Sequence, residues 1–448
     1  MARLQCLPWR YSVPRRVSRV SGGGRLESAI GGRADWEESG VGAGGPGRGR
    51  IGRMTATIER IETACVAPRW GLVRVLDSEG VEGFGEFTVE GQLTASEATV
   101  RGLSEWFLGQ PSGEIRRLAR GAYDQSFYHG GVHFMSALGG IETALWDMAG
   151  KRAGKPLCDL LGGRVRDRVK VYRWAGGNNN APGAAAEEAA RAVAEGARAI
   201  KMNACPPLAA IDTYGGIRTA VERARLVREA VGEEVDIAFD FHGRTNVPMA
   251  RRLAKELEFA KPLFYEEPVR PDYNRWLPEI AAVTHVPIAT GERMCTVAEF
   301  ADVVAAKGAH VLQPDLVHVG GVMNTQEVAL LAENNGLAVA PHCPLSPVAF
   351  MASLHVVAAS RAGWIMEWSK GIHYNASGAT GEADPWLRYL DERDWPMFDV
   401  DEGGHLAIPE APGLGIRVDW NEVLKAARTP VEWRDLRMEL ADGLRANW

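Results

Sequence analysis

Two rhythms of apolar and polar residues run along this chain, and they change over near Val169. Before it, "IERIETACVA" and "GLVRVLDSEGVEGFGEF" are rich in strand formers, with a turn signal at "DSEG". The stretches "ASEATVRGLSEWFLGQ" and "MSALGGIETALWDMAGKRAG" space their apolar residues close to the helical period. Residues 54–168 are therefore expected to form an α+β domain.

Beyond Val169 a short apolar run alternates repeatedly with an Ala/Leu-rich helical stretch. The runs are "VKVYRW", "RAIKMN", "VDIAFDFH", "PLFYEEP", "VPIATGE", "AHVLQPD", "LAVAPH" and "WIMEW". Several intervening helices end near a glycine (Gly196, Gly232, Gly308, Gly336, Gly363), which suits a left-handed C-cap. Eight such units in about 220 residues predict an α/β fold of the (β/α)8 barrel type. An open doubly wound sheet is the alternative, but no G-x-G-x-x-G follows a strand to mark a dinucleotide site.

Composition narrows the function classes. Among 448 residues, 46% are hydrophobic and 24% charged, as in globular enzymes, and the net charge of −6 offers no footprint for nucleic acid. No run of 18 apolar residues predicts a membrane span. The six cysteines are scattered and form no C-x-x-C pair, which fits free thiols in a reducing cytoplasm. Residues 1–53 carry ten Arg, no Lys and glycine-rich runs, so this leader is expected to be disordered and Met54 to be the true start. Mass spectrometry of the native N-terminus tests that expectation.

The ends of the predicted strands carry the chemistry: Lys201 and Asn203, Asp240 and His242, Glu266, Glu292, Asp315, His342 and Glu367. In a (β/α)8 barrel these ends form the floor of the active site. Residues two apart on a strand share a face, so Lys201 pairs with Asn203 and Asp240 with His242 at the mouth. Asp240, Glu266 and Glu292 recur at equal intervals on consecutive strands. Like charges ~4 Å apart repel by roughly 4 kcal/mol at an effective dielectric near 20, so three carboxylates there call for a cation. An all-oxygen donor set suits Mg2+. Spacing alone leaves Glu266 and Glu267 open, because they face opposite ways. Asp315 ends the strand before His342, and a carboxylate beside an imidazole is the arrangement of an oriented general base.

The motifs "KMN", "DFHGR", "FYEEPV", "ATGERM", "LQPDLVHVGG", "APHCPLSP" and "MEWSKGIHYN" resemble the galactonate dehydratases of the mandelate racemase branch of the enolase superfamily. The likeness runs from Met54 to Trp448. It implies a capping α+β domain (54–168), a modified TIM barrel of (β/α)7β form (169–390) and a C-terminal segment (391–448) returning to the cap. It implies Mg2+ on Asp240, Glu266 and Glu292, a His342–Asp315 dyad, His242 as second acid/base, and Glu367 as a hydrogen-bonding stabiliser. It further implies a sugar acid substrate, met by Lys201 and Asn203, and a homo-oligomer.

Two positions depart from the family. Trp368 stands where a Gln follows the last-strand Glu, and Pro206-Pro207 stand where acidic residues are found. Trp368 is therefore expected near the substrate, and an aldonate other than D-galactonate is an open reading. A two-base racemase would carry K-x-K where this chain has Lys201 and Asn203, and Asn cannot act as a base. A Schiff base on Lys201 and a non-catalytic barrel are further alternatives. Borohydride trapping would reveal the first, and chelator-sensitive turnover of a sugar acid would exclude the second.

Overall fold

The computed structural model describes residues 9–12, 56–175, 181–370, 372, 386–431, 433–435, 437–440 and 442–446. The cap is an antiparallel sheet of β1 (Trp9–Ser12), β2 (Ile58–Val66), β3 (Trp70–Asp77) and β4 (Glu82–Glu86), in that order. Helices α1 (Leu93–Phe107), α2 (Ile115–Gln125) and α3 (Val132–Ala153) cover it. The sheet lies directly on α3. A Cβ at Gly83 would fall 2.0 Å from the Ala144 carbonyl oxygen, and one at Gly85 would fall 1.9 Å from that of Gly140. Only glycine permits that approach.

Strand β1 corrects the expectation of a wholly disordered leader. Trp9–Ser12 pair antiparallel with β2, Trp9 opposite Thr63. An edge strand offers unpaired N–H and C=O groups to any nearby segment of strand-forming residues. The remainder of 1–53 lies outside the described residues.

The second domain is a parallel barrel. A short helix α4 (Leu157–Leu160) leads into β5 (Arg168–Trp174), β6 (Ala199–Asn203), β7 (Asp236–Asp240), β8 (Tyr265–Glu266), β9 (Ile288–Thr290), β10 (Val311–Leu312), β11 (Ala338–Val339) and β12 (Ile365–Trp368). They neighbour one another in sequence order, with β12 beside β5. A parallel bridge between Val339 and Gly363 links β11 to the approach to β12. Seven helices alternate with these eight strands: α5 (Pro182–Ala194), α6 (Tyr214–Val231), α7 (Val247–Glu256), α8 (Leu277–Ala281), α9 (Val297–Ala306), α10 (Val322–Asn334) and α11 (Pro347–Ala359). The form is (β/α)7β.

Several strands are shorter than their apolar runs. β8, β10 and β11 have two residues each, and Pro268, Pro314 and Pro341 follow within two residues of each end. Proline has no N–H to continue a ladder.

Packing fixes which way each strand residue points. Tyr172, Ala199, Ala238, Phe264, Ala289, Val311, Ala340 and Ile365 form one small buried cluster that fills the barrel. Their neighbours Ile200, Ile237, Tyr265, Ile288, Leu312 and Val339 belong to a separate cluster against the helices. Counting on by two from the inner set reaches Trp174, Lys201, Asp240, Glu266, Gln313, His342 and Glu367.

The C-terminal segment grips both domains. β13 (His405–Ala407) pairs antiparallel with β5, and Trp420, which opens α12 (Trp420–Ala426), donates its indole N–H to Glu62 of the cap at 3.0 Å. Among the described residues no helix is long and apolar enough to cross a membrane.

Candidate active site

The inner faces of β6, β7, β8 and β12 bring one cation among several carboxylates. Lys201 is fully buried, with Nζ 2.6 Å from Glu266, 3.1 Å from Glu367 and 4.0 Å from Asp240. Its ammonium also lies over the rings of Trp174 and Tyr172, at 4.9 and 5.5 Å. Burial opposes this charge, but Glu266 and Glu367 outweigh burial and hold Lys201 well above the usual lysine range. Glu367 also accepts from the Cys343 N–H at 2.9 Å and from the Trp174 indole N–H. Burial works against its ionisation too, yet Lys201 and His342 hold it below the usual carboxylate range.

Glu266 is the interior member of its pair. Its second oxygen accepts from Gln313 at 2.7 Å, while Glu267 faces outward onto the Arg293 guanidinium with its backbone in the left-handed region (φ 38°). Burial pushes Glu266 up to about 7, against the pull of Lys201, with Asp240 and Glu367 adding to the rise.

Glu292 is the least satisfied carboxylate of the set. One oxygen is 3.9 Å from Arg293; the other, Oε2, is 3.6 Å from His342 Nε2 and has no hydrogen bond. Burial, with Glu267, Asp240 and Glu266 as charged neighbours, raises it well above the usual range. Asp240, Glu266 and Glu292 thus bring carboxylate oxygens, the donor type that suits a hard cation, to neighbouring strand ends of the mouth. Among the described residues, however, no three His, Cys, Asp or Glu side chains surround a common point at ligand distance. The reason is local: Asp240 is bonded to His242, and Glu266 to Lys201 and Gln313.

Two imidazoles face this cluster, each fixed by a carboxylate. His342 Nδ1 is 2.9 Å from Asp315, which leaves Nε2 turned towards Glu292 and Glu367. Burial disfavours its charged form, but Glu367 and Asp315 outweigh burial and raise its pKa. His242 Nδ1 is 3.0 Å from Asp240, whose other oxygen accepts the His242 backbone N–H at 2.7 Å. Burial would raise the Asp240 pKa, but His242 and Lys201 hold it well below the usual range. Because β7 ends at Asp240, His242 meets its partner through a left-handed turn (φ 55°) and not along a continuous strand face. β7 and β11 lie four strands apart in the ring of eight, so the two rings approach from opposite sides.

One expected residue is elsewhere. Trp368 alternates with Glu367 and so faces away from the barrel interior. It packs edge-on against Trp386 at 6.4 Å, in the apolar cluster under the C-terminal segment. Asn203 is buried at the end of β6, on the same face as Lys201. The residues that escaped sequence reasoning are Trp174, Gln313 and His318. The first two sit at strand ends inside motifs already singled out. The third stands in the same "LQPDLVHVGG" motif as Gln313 but beyond the strand end, and its place shows only through its cap partners: His318 is 3.3 Å from Glu90 and 2.9 Å from Ser136. Burial opposes its charge, yet Asp315 and the bond to Glu90 outweigh burial and lift His318 to about 9.

Comparison with known proteins gives a consistent picture. Residues 58–162 match the mandelate racemase/muconate lactonizing enzyme N-terminal domain, and residues 184–423 match the enolase C-terminal domain-like family. D-Galactonate dehydratase from Variovorax paradoxus is 40% identical over 391 residues, covering 87% of this chain and all of that protein. D-Galactonate dehydratase from Ralstonia pickettii is 41% identical over the same shares. An enolase from Agrobacterium radiobacter, solved with sodium and L-malate, superposes with a TM-score of 0.77 at 29% identity, covering 88% of this chain and all of that one. A mandelate racemase/muconate lactonizing enzyme from Sulfitobacter gives 0.76 at 28% identity, covering 86% of this chain and 99% of that one.

Proposed function

The chain belongs to the mandelate racemase/muconate lactonizing enzyme branch of the enolase superfamily and is a sugar acid dehydratase, and we propose that it converts D-galactonate to its 2-keto-3-deoxy acid. The observation that carries this reading is the pair of carboxylate-held imidazoles on opposite sides of one mouth. Asp315 accepts the Nδ1 proton of His342, so Nε2 carries the free lone pair and removes the C2 proton. His242, protonated at Nε2, delivers a proton to the departing C3 hydroxyl. Each positioned group contributes ~10²–10⁴-fold.

Asp240, Glu266 and Glu292 would hold Mg2+. When bound it supplies Lewis-acid stabilisation of the negative charge that develops on the substrate carboxylate. Lys201 adds a fixed positive charge beside that group, in a buried setting where charge acts strongly. Glu367 orients Lys201 and faces the Nε2 side of His342. The enol left by loss of water then ketonises to product.

The test is turnover of a panel of aldonates by the purified chain with Mg2+, read as 2-keto-3-deoxy acid. D-Galactonate should be the best substrate, and His242→Asn should lose dehydration while still exchanging C2 hydrogen in heavy water. Turnover of another aldonate alone would move the substrate assignment. Intact dehydration by His242→Asn would remove the acid role from His242.

A further inference from the structure

His318 is a buried histidine whose ring touches both domains. Nδ1 is 2.9 Å from Ser136 on α3 of the cap, and Nε2 is 3.3 Å from Glu90 in the cap loop before α1. The same Nε2 is 3.9 Å from Asp315 Oδ2, the oxygen that holds His342 at 2.9 Å. Asp315 Oδ1 accepts the backbone N–H groups of Val317 and His318, at 2.8 and 3.1 Å. Asp315 therefore stands between two imidazoles.

The contacts close into a loop. Glu90 also accepts from Arg69 at 2.7 Å, and Arg69 donates to the Pro344 carbonyl at 2.7 Å, two residues beyond His342. Positive and negative groups alternate along the path Arg69, Glu90, His318, Asp315, His342. Glu86, bonded to Thr88 and Ser346, is a further carboxylate near His318, and the raised pKa of the ring favours the charged form that this alternation needs.

We propose that His318 is a positioning residue for the dehydration, tying Glu90 of the cap to Asp315 of the barrel so that cap seating and orientation of the His342 ring are one event. This rests on the proposed role of His342 as the C2 base. In it His318 touches no substrate. It fixes the carboxylate that fixes the base, and the cap turn at Arg69 is secured to the same segment from the other side.

The experiment measures kcat, KM and C2 deuterium incorporation for His318→Ala, Glu90→Gln and the double variant, with D-galactonate or the panel aldonate that the wild type turns over fastest. Removing the charged ring that stands 3.9 Å from Asp315 and 3.3 Å from Glu90, while the backbone bond to Asp315 stays, should lower kcat by roughly 10–100-fold with KM within about threefold. Deuterium incorporation should fall in parallel, and the double variant should be no worse than the poorer single one, as for residues acting in one chain. His318→Gln keeps a neutral donor and should recover part of the loss; it also carries the comparison if the alanine variant does not fold. A kcat per folded molecule within about twofold of wild type, or penalties that multiply, would overturn the proposal, because a purely structural histidine lowers the folded fraction alone. His342→Asn separates the two claims. If it stays active, the functional reading fails. If it is inactive while His318→Ala is not, only the present inference fails.

Discussion

The buried carboxylates of this molecule fall into two groups that are treated in opposite ways. At the seam where the cap meets the barrel and the C-terminal segment, Glu142 and Asp147 are saturated. Glu142 accepts the Val322 and Met323 N–H groups at the start of α10, at 2.8 and 3.1 Å, and the Trp146 indole at 2.7 Å. Asp147 accepts from Phe84, Leu414 and Lys151, at 3.1, 2.9 and 2.7 Å. At the barrel mouth Glu292 has an oxygen with no hydrogen bond at all, and Asp240, Glu266 and Glu367 crowd round the single ammonium of Lys201. A buried acid with three donors holds two surfaces together; one without them stores repulsion. The seam is built for cohesion and the mouth for binding charge.

This contrast can be broken by experiment. The largest effect is expected at the mouth, where His342→Asn should lower kcat by about 10²–10⁴-fold with an unchanged melting curve. Next, Glu292→Gln should lower Mg2+-dependent turnover, by less than His342→Asn does, while the melting temperature holds or rises, because it removes a charge that its neighbours oppose. A fall in melting temperature would place Glu292 with the seam acids. At the seam the order reverses. Glu142→Ala leaves the first amides of α10 without their acceptor and should cost about 1–3 kcal/mol in denaturant unfolding, with kcat per folded molecule unaltered.

The smallest effect concerns pH. His318 is lifted from 6.5 to about 9, so its charged form adds stability that is complete below about 6.5 and fades as pH rises towards 9. The seam acids Glu142 and Glu86 are each raised to about 7 by burial, and their cost grows between 4.5 and 7. The melting temperature of the wild type should therefore fall across pH 7–9 by more than that of His318→Gln. Parallel curves would deny His318 its charge.

Much of the mouth was legible in the sequence because strand geometry is local. An apolar run that ends in Asp, Glu or His puts that residue at the open end of a barrel, and alternation decides which of two neighbours enters. The same alternation, applied to the last strand, sends Trp368 outward once Ile365 is known to lie inside. Without that anchor the run "WIMEW" does not reveal its phase. The seam was not legible at all. Glu90 and His318 are 228 residues apart, and nothing local in either segment names the other. The strands are shorter than the apolar runs for a local reason: the prolines that follow β8, β10 and β11 carry no N–H to continue a ladder.

The left-handed backbone at His242 bears on how such a site can change its reaction over evolutionary time. A residue there must tolerate φ 55°, which Asn, Asp and Gly do readily and β-branched residues do not. Replacement of the imidazole by an amide is thus conformationally free, although it deletes the proton donor proposed for the elimination. A barrel of this kind can drift from eliminating water to merely exchanging a proton without disturbing its main chain, whereas drift to Val, Ile or Thr would strain the turn before any new chemistry could be selected.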